Sequence, residues 1–183
     1  MKKILILSFI ILVTIALTYA LILYIGMQGF LFAWMLNLML MMCVFQFTET
    51  LKSSFTSTYY TEKSWEKNGK IYETLGINLF RKLLVVIGWE RLNKKANPIE
   101  KKTTALIHLE YRTKQSELGH IIILCIVSVF TIFVAFQFGI SETIWLVILN
   151  ILLNIYPILL QRYNRPRLKR ALILSQHREG RYT

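Results

Sequence analysis

Aspartate is absent from these 183 residues, and the chain carries only two cysteines, three prolines and three histidines. Each scarcity removes something. Cys43 and Cys125 both lie inside apolar runs, so they read as small buried hydrophobes and set aside a disulfide framework or thiol redox chemistry. No further His or carboxylate stands at ligand spacing from Glu117 and His120, which argues against a metal site; His108 and His177 read as surface residues. No internal repeat and no Gly/Ser-rich linker divides the chain into modules. Without aspartate, all ten acidic residues are glutamate, set against 22 Lys and Arg for a net charge of +12. An excess of that size favours anionic lipid headgroups or phosphorylated substrates. Nucleic acid is not expected as a partner, because the charge follows membrane topology.

What the chain has in quantity is apolar length. Hydrophobic residues make up 55% of it, the mean hydropathy is +0.47 and the isoelectric point is near 9.9, the composition of a membrane protein. Several runs reach the roughly 20 residues that cross about 30 Å of hydrocarbon, which speaks against a soluble fold. After a positive start at Lys2 and Lys3, residues 4–25 are broken only by Ser8, Thr14 and Thr18. This first span is longer than a secretory h-region and reads as a retained anchor, although Ala16, Thr18 and Ala20 imitate a cleavage site and keep a cleaved signal as the alternative. Residues 26–29 make a tight uncharged turn, and residues 30–47 run back with Trp34, Asn37 and Gln46 as polar handles. Asn37 reads as an interhelical hydrogen bond.

Residues 48–119 change character, with thirteen Lys and Arg and the interface-seeking Tyr59, Tyr60, Trp65, Tyr72 and Trp89. Ile77, Phe80, Leu83, Leu84 and Ile87 recur at helical spacing away from Arg81 and Lys82, the pattern of a helix in the headgroup layer. It serves either as a membrane-surface support or as a lid over a lipid-like substrate. Asn97, Pro98 and Glu100 mark a helix start. Two further spans, residues 118–138 and 144–160, flank a short segment without Lys or Arg. Two cations precede the first span, thirteen lie between spans two and three, and seven follow span four, so both termini and the middle region are expected in the cytosol. The expected fold is an all-α integral membrane protein of about four transmembrane helices in two hairpins. Its parts are an N-terminal hairpin at 1–47, a basic amphipathic cytosolic or interfacial region at 48–119, a C-terminal hairpin at 120–168 and a basic cytosolic tail at 169–183.

Chemistry concentrates where the last two spans meet the cytosolic interface. The short connection makes these spans antiparallel neighbours, which sets His120 level with Arg162 and Glu117 level with Arg165. Gln161, Tyr163 and Asn164 complete a polar ring. Glu117 and His120, three residues apart on one helix face, have the chemistry of a carboxylate-oriented general base for a hydroxyl nucleophile. Arg162 or Arg165 supplies permanent charge for an oxyanion or a phosphate. The same residues equally suit helix anchoring and charge pairing at the interface. Asn150 and Asn154, one turn apart and deeper, either line a cleft or bridge helices, and Pro157 should kink the span just before the ring.

The segments TKQSELGH at 113–120 and NIYPILLQRYNRPRLKRAL at 154–172, with WEKNGKIYETLGI at 65–77 more loosely, resemble the glycosyl-diaponeurosporenoate acyltransferases of staphyloxanthin-type carotenoid synthesis. The run from Gln161 to Leu168 is the specific part, and the resemblance covers roughly the C-terminal two-thirds of the chain. It implies a small multi-pass protein of a bacterial cell membrane that esterifies a glucose hydroxyl of a glycosylated carotenoid carboxylate with a fatty acyl chain, the last step to a yellow-orange pigment. The implied partners are the bilayer, the glycosylated carotenoid, a fatty acyl donor such as acyl-CoA or acyl carrier protein as co-substrate, and other pigment-pathway enzymes; no cofactor is implied. The resemblance brings no catalytic residues with it. Glu117 and His120 as base pair, and Gln161, Arg162, Tyr163, Asn164 and Arg165 as substrate-binding groups, rest on motif position and depth. Competing readings are an acyltransferase for another membrane glycolipid, a non-catalytic scaffold, and a lipid-binding protein whose basic face grips anionic headgroups.

Overall fold

A computed structural model describes residues 1–89, 91 and 103–180, which are helical with no strand among them. The helix start expected at Asn97, Pro98 and Glu100 lies outside the described residues. Four helical stretches are long and apolar enough to cross a membrane: Lys2–Ile25, Gly29–Leu51, Thr103–Phe138 and Ile140–Glu179. Their number and order are those expected from the apolar runs. The chain groups into two compact units, Met1–Ser54 with Ser116–Ile158 and Phe55–Gln115 with Leu159–Thr183.

The first unit is built around α2 (Gly29–Leu51). Phe32, Ala33, Leu36, Leu40 and Val44 follow one another at helical spacing and are buried. Against this stripe pack Ile123, Val127 and Val134 of α5 (Thr103–Phe138) and Leu146 and Leu149 of α6 (Ile144–Asn150). Gly119 of α5 lies beside Val44, where a Cβ would stand 3.7 Å from the valine methyl, an ordinary van der Waals contact. α1 (Lys2–Ile25) buries no residue; Leu21, Ile22 and Ile25 touch the core and the rest of its apolar surface faces outward, as suits a lipid solvent. Lys3 donates from Nζ to the Leu51 carbonyl at 2.6 Å, a cation on the negative end of α2. Gly26 and Gly29, both at positive φ, carry the reversal expected at residues 26–29.

α5 has 36 residues, about 54 Å at 1.5 Å per residue, well beyond the roughly 30 Å of a hydrocarbon core. Its first turns belong to the second unit, its apolar remainder to the first. Gly139 (φ 98) ends it, and a 3₁₀ turn at Ile140–Thr143 leads into α6. A π-helical turn, Ile151–Ile155, then joins α6 to α7 (Tyr156–Glu179). Its place follows from Pro157, which has no N–H for the Leu153 carbonyl and whose ring crowds that carbonyl. The deformation expected at Pro157 is therefore a π turn one step earlier in the chain.

The second unit contains 3₁₀ turns at Thr58–Tyr60 and Ser64–Gly69, then α3 (Ile71–Thr74) and α4 (Ile77–Val86), the start of α5 and most of α7. Phe55, Tyr72, Ile77, Phe80, Leu106, Tyr163 and Leu168 form its buried apolar set. Thr103 ties the start of α5 to the end of α7, with its backbone N–H on Glu179 Oε1 at 3.2 Å and its hydroxyl 2.8 Å from that of Ser175. α4 is the amphipathic helix read from the sequence, with one difference: Ile77 and Phe80 are buried and Leu84 half-buried, whereas Leu83 and Ile87 point outward beside Leu79 and Val86. A helix this rich in apolar residues has more greasy circumference than one contact stripe can cover.

Candidate active site

In the first unit a chain of side-chain amides runs through the apolar core. Asn37 donates to the Ala33 carbonyl at 2.8 Å, which fixes its Oδ1 as the atom that faces outward. Asn154 donates to that oxygen at 2.8 Å and to Oδ1 of Asn150 at 2.9 Å. Asn150 in turn donates to the Leu124 carbonyl and the Ser128 hydroxyl, both at 3.3 Å. Asn37, Asn150 and Asn154 are all buried. Asn37 bridges helices as expected, and Asn150 and Asn154, for which the sequence left cleft lining and bridging open, bridge as well, linking α2, α5 and the α6–α7 segment; each such bond in a lipid-facing bundle contributes about 1 kcal/mol.

The network decides what His120 meets. Both amide hydrogens of Asn154 are occupied, so its Oδ1 is the acceptor that lies 3.4 Å from Nδ1 of His120. Nδ1 is therefore the donor, and in the neutral ring Nε2 carries the lone pair. The Leu153 carbonyl, released by Pro157, lies beside the same ring. The group on His120 is thus Asn154, not the Glu117 carboxylate expected from their three-residue spacing. Asn154 also stands roughly two helical turns before Arg162, the level that loop length alone assigns to His120. The reason is the reversal at Gly139: the 3₁₀ turn Ile140–Thr143, counted as loop in the sequence, already belongs to the returning helix. Glu117 itself is fully buried, on the same helix as His120.

The remaining candidates fall in the second unit, where a different set of contacts organises them. Arg162 places Nη1 2.7 Å from Glu66 Oε1 and Nη2 3.2 Å from the Tyr59 carbonyl, with its Cζ 4.6 Å from the centroid of the Tyr59 ring. Glu66 also accepts from the Tyr72 hydroxyl and, on Oε2, from the Lys63 backbone N–H at 2.6 Å. Burial alone would raise the Glu66 carboxyl, but the bonds from Tyr72, Lys63 and Arg162 together with the arginine charge outweigh it and hold the group below the ordinary carboxylate range. Burial and the anionic neighbour push the Tyr72 phenol the opposite way, upward. Arg165 is buried, donates to the Tyr60 carbonyl at 3.3 Å and stacks at 5.6 Å on the Tyr60 ring.

Tyr163 is held from three sides. Its hydroxyl donates to Glu73 Oε1 at 3.2 Å, and Arg167 lies 3.7 Å over its ring while bonding the Tyr163 carbonyl and Glu73. Gly69, at φ 85, approaches so closely that a Cβ there would stand 3.1 Å from the Tyr163 carbonyl oxygen. Gln161 is half-buried. Asn164 is half-buried too and, among the described residues, its amide has no hydrogen-bond partner, which leaves it available to a ligand. Reading the chain alone misses Glu66, Tyr72 and Glu73 as the partners of the arginine motif, although all three lie in the stretch WEKNGKIYETLGI.

Arranged in this way, the first unit offers a histidine with an assigned tautomer at the end of a buried amide chain. The second offers an aromatic and cationic lattice that contains the ion pairs Arg162–Glu66 and Arg167–Glu73. A family model described as glycosyl-4,4'-diaponeurosporenoate acyltransferase matches residues 56–173, more than half of the chain. No curated protein and no solved structure matches it.

Proposed function

The chain belongs to the glycosyl-4,4'-diaponeurosporenoate acyltransferase family, and from that premise we propose that it esterifies the glucose hydroxyl of a glycosylated diaponeurosporenoate with a fatty acyl group, the closing step of a staphyloxanthin-type pigment. The family match is the observation that carries this reading. Four helices able to cross a membrane suit a carotenoid acceptor whose polyene lies among lipids and whose sugar lies at the surface. Both termini and the basic region between the second and third spans are assigned to the cytosol, with the spans in two hairpins, because an activated acyl donor is made there and the cations gather there.

The base in this reading is His120. Asn154 keeps Nδ1–H engaged, so Nε2 takes the proton of the glucose hydroxyl as its oxygen attacks the acyl carbonyl of a thioester donor. The tetrahedral intermediate then expels the thiolate, which recovers the proton from the imidazolium, leaving an ester and a free thiol. Glu117 stays with His120 in the assignment as the buried carboxylate of the same helix. Gln161, Arg162, Tyr163, Asn164 and Arg165 are assigned to substrate, with Asn164 as the member proposed to bond a sugar or acyl oxygen directly, since Arg162 is already paired. A scaffold or a headgroup-binding protein would draw on the same ion pairs for anchoring alone and would tolerate loss of His120.

Mass spectrometry of pigments from a host that makes the glycosylated carotenoid separates these readings. With the chain present, a gain of one fatty acyl group is expected; His120→Ala should abolish it while the protein still accumulates in the membrane. No gain with a well-expressed wild-type chain points to another acceptor or to the scaffold, and full activity of the variant removes His120 from the mechanism.

A further inference from the structure

We propose that α4 carries a phosphate-binding site formed by Asn78, Arg81 and Lys82. These residues, with Val85, line an open surface depression of about 450 Å³ in the second unit. Their spacing puts them on one helix face. Going round α4, Ile77, Phe80 and Leu84 face the unit, Leu79, Leu83 and Val86 present an exposed apolar sector, and the site residues fill the third.

Three cations of the unit are matched by carboxylates. Arg162 is paired with Glu66, Arg167 with Glu73 and Lys114 with Glu110. Arg81 and Lys82 are exposed and, among the described residues, neither meets a carboxylate. Asn78 has no hydrogen-bond partner among them either. Arg81 is nonetheless oriented, its Cζ standing 5.6 Å from the centroid of the Tyr163 ring. A guanidinium steered by an aromatic face, an ammonium one position on and a neutral amide one turn back present a fork, a point charge and two further donors to one anion. Oxygen-rich phosphate matches that set better than a single carboxylate. The adjoining apolar sector suits a ligand in which phosphate and an acyl chain occur together.

Two sources present that chemistry: the phosphates of a nucleotide-type acyl donor, an assignment that rests on the acyl-transfer reading, and a phospholipid headgroup, which does not. Full-length protein in phosphatidylcholine nanodiscs is titrated with coenzyme A and with its dephospho form, and lipid retention is read by native mass spectrometry after adding phosphatidylglycerol. A donor site gives coenzyme A binding that Arg81→Gln/Lys82→Gln weakens roughly tenfold or more, the loss of two charge-assisted contacts, and Asn78→Ala weakens less. A headgroup site gives no coenzyme A binding but phosphatidylglycerol retention lost in the same variants. Lys169→Gln/Arg170→Gln, which removes two exposed charges of α7, should leave both readouts unchanged. The proposal is overturned if wild type and the α4 variant, with equal unfolding midpoints, retain both probes alike, or if the α7 variant loses as much. Coenzyme A binding that depends on Arg81 and Lys82 in a protein without acyl transfer would keep the site and sink the assigned reaction instead.

Discussion

Oε1 of Glu66 and Nη1 of Arg162 stand 2.7 Å apart although 96 positions separate them in the chain, and neither side chain is more than 11% exposed. This ion pair joins the stretch at 65–77 to the arginine motif at 161–168, the two segments that sequence alone leaves unconnected.

Removing one partner of such a pair leaves the other charge buried and unmatched. Glu66→Ala should destabilise the protein by roughly 3–5 kcal/mol, read as a fall in the thermal unfolding midpoint in detergent. Acid acts on the same contact. The folded carboxyl lies below its unfolded value, so its contribution is fully present above the unfolded pKa and is lost as pH falls through the depressed folded one. Wild type should therefore lose its advantage over Glu66→Gln on going from neutral pH to below the ordinary carboxylate range; identical acid profiles would mean that Glu66 is not the group responsible.

Asn154 is the residue through which three other side chains find their partners. Asn154→Leu keeps the volume but strands Oδ1 of Asn37 and of Asn150 and frees the His120 ring, a cost of about 1–2 kcal/mol. Turnover per folded molecule should also drop, by less than the roughly 10²- to 10⁴-fold expected for His120→Ala. Unchanged turnover in Asn154→Leu would show that its hydrogen bond does not position the imidazole.

Gly69 follows Lys67 and Asn68, and all three sit at positive φ. Gly69 faces the Tyr163 backbone, so Gly69→Ala combines a left-handed conformation costing about 1–2 kcal/mol with a 3.1 Å contact. A lowered unfolding midpoint is expected, whereas Asn68→Gly should be neutral or raise it. Equal stability of Gly69→Ala and wild type would show that the loop can withdraw from α7.

Reporter fusions at Gly29 and Gly139 should both read outside the cell, and one at Lys114 inside. A cytosolic signal at either glycine would overturn the assigned orientation.

Apolar run length and the distribution of cations were enough to read four helices able to cross a membrane, the turn glycines and an amphipathic helix after Gly76, because lipid permits few alternatives to a continuous helix. Motif residues were enough for the family. The sequence by itself also marked Asn37 as a bridge, since a buried amide must find a partner, but left Asn150 and Asn154 between bridging and lining a cleft. What only the tertiary structure decided is which groups meet. Counting back from a loop pairs His120 with Arg162, but a reversal at Gly139 and a π turn before Pro157 shift the register and give it Asn154. Likewise the partners of Arg162 and Arg167 lie some ninety residues away in a segment whose own pattern is irregular. Periodicity reports the face a residue occupies on its helix; long-range pairing depends on loop geometry and on charge matching among neighbours, which exist only once the chain is folded.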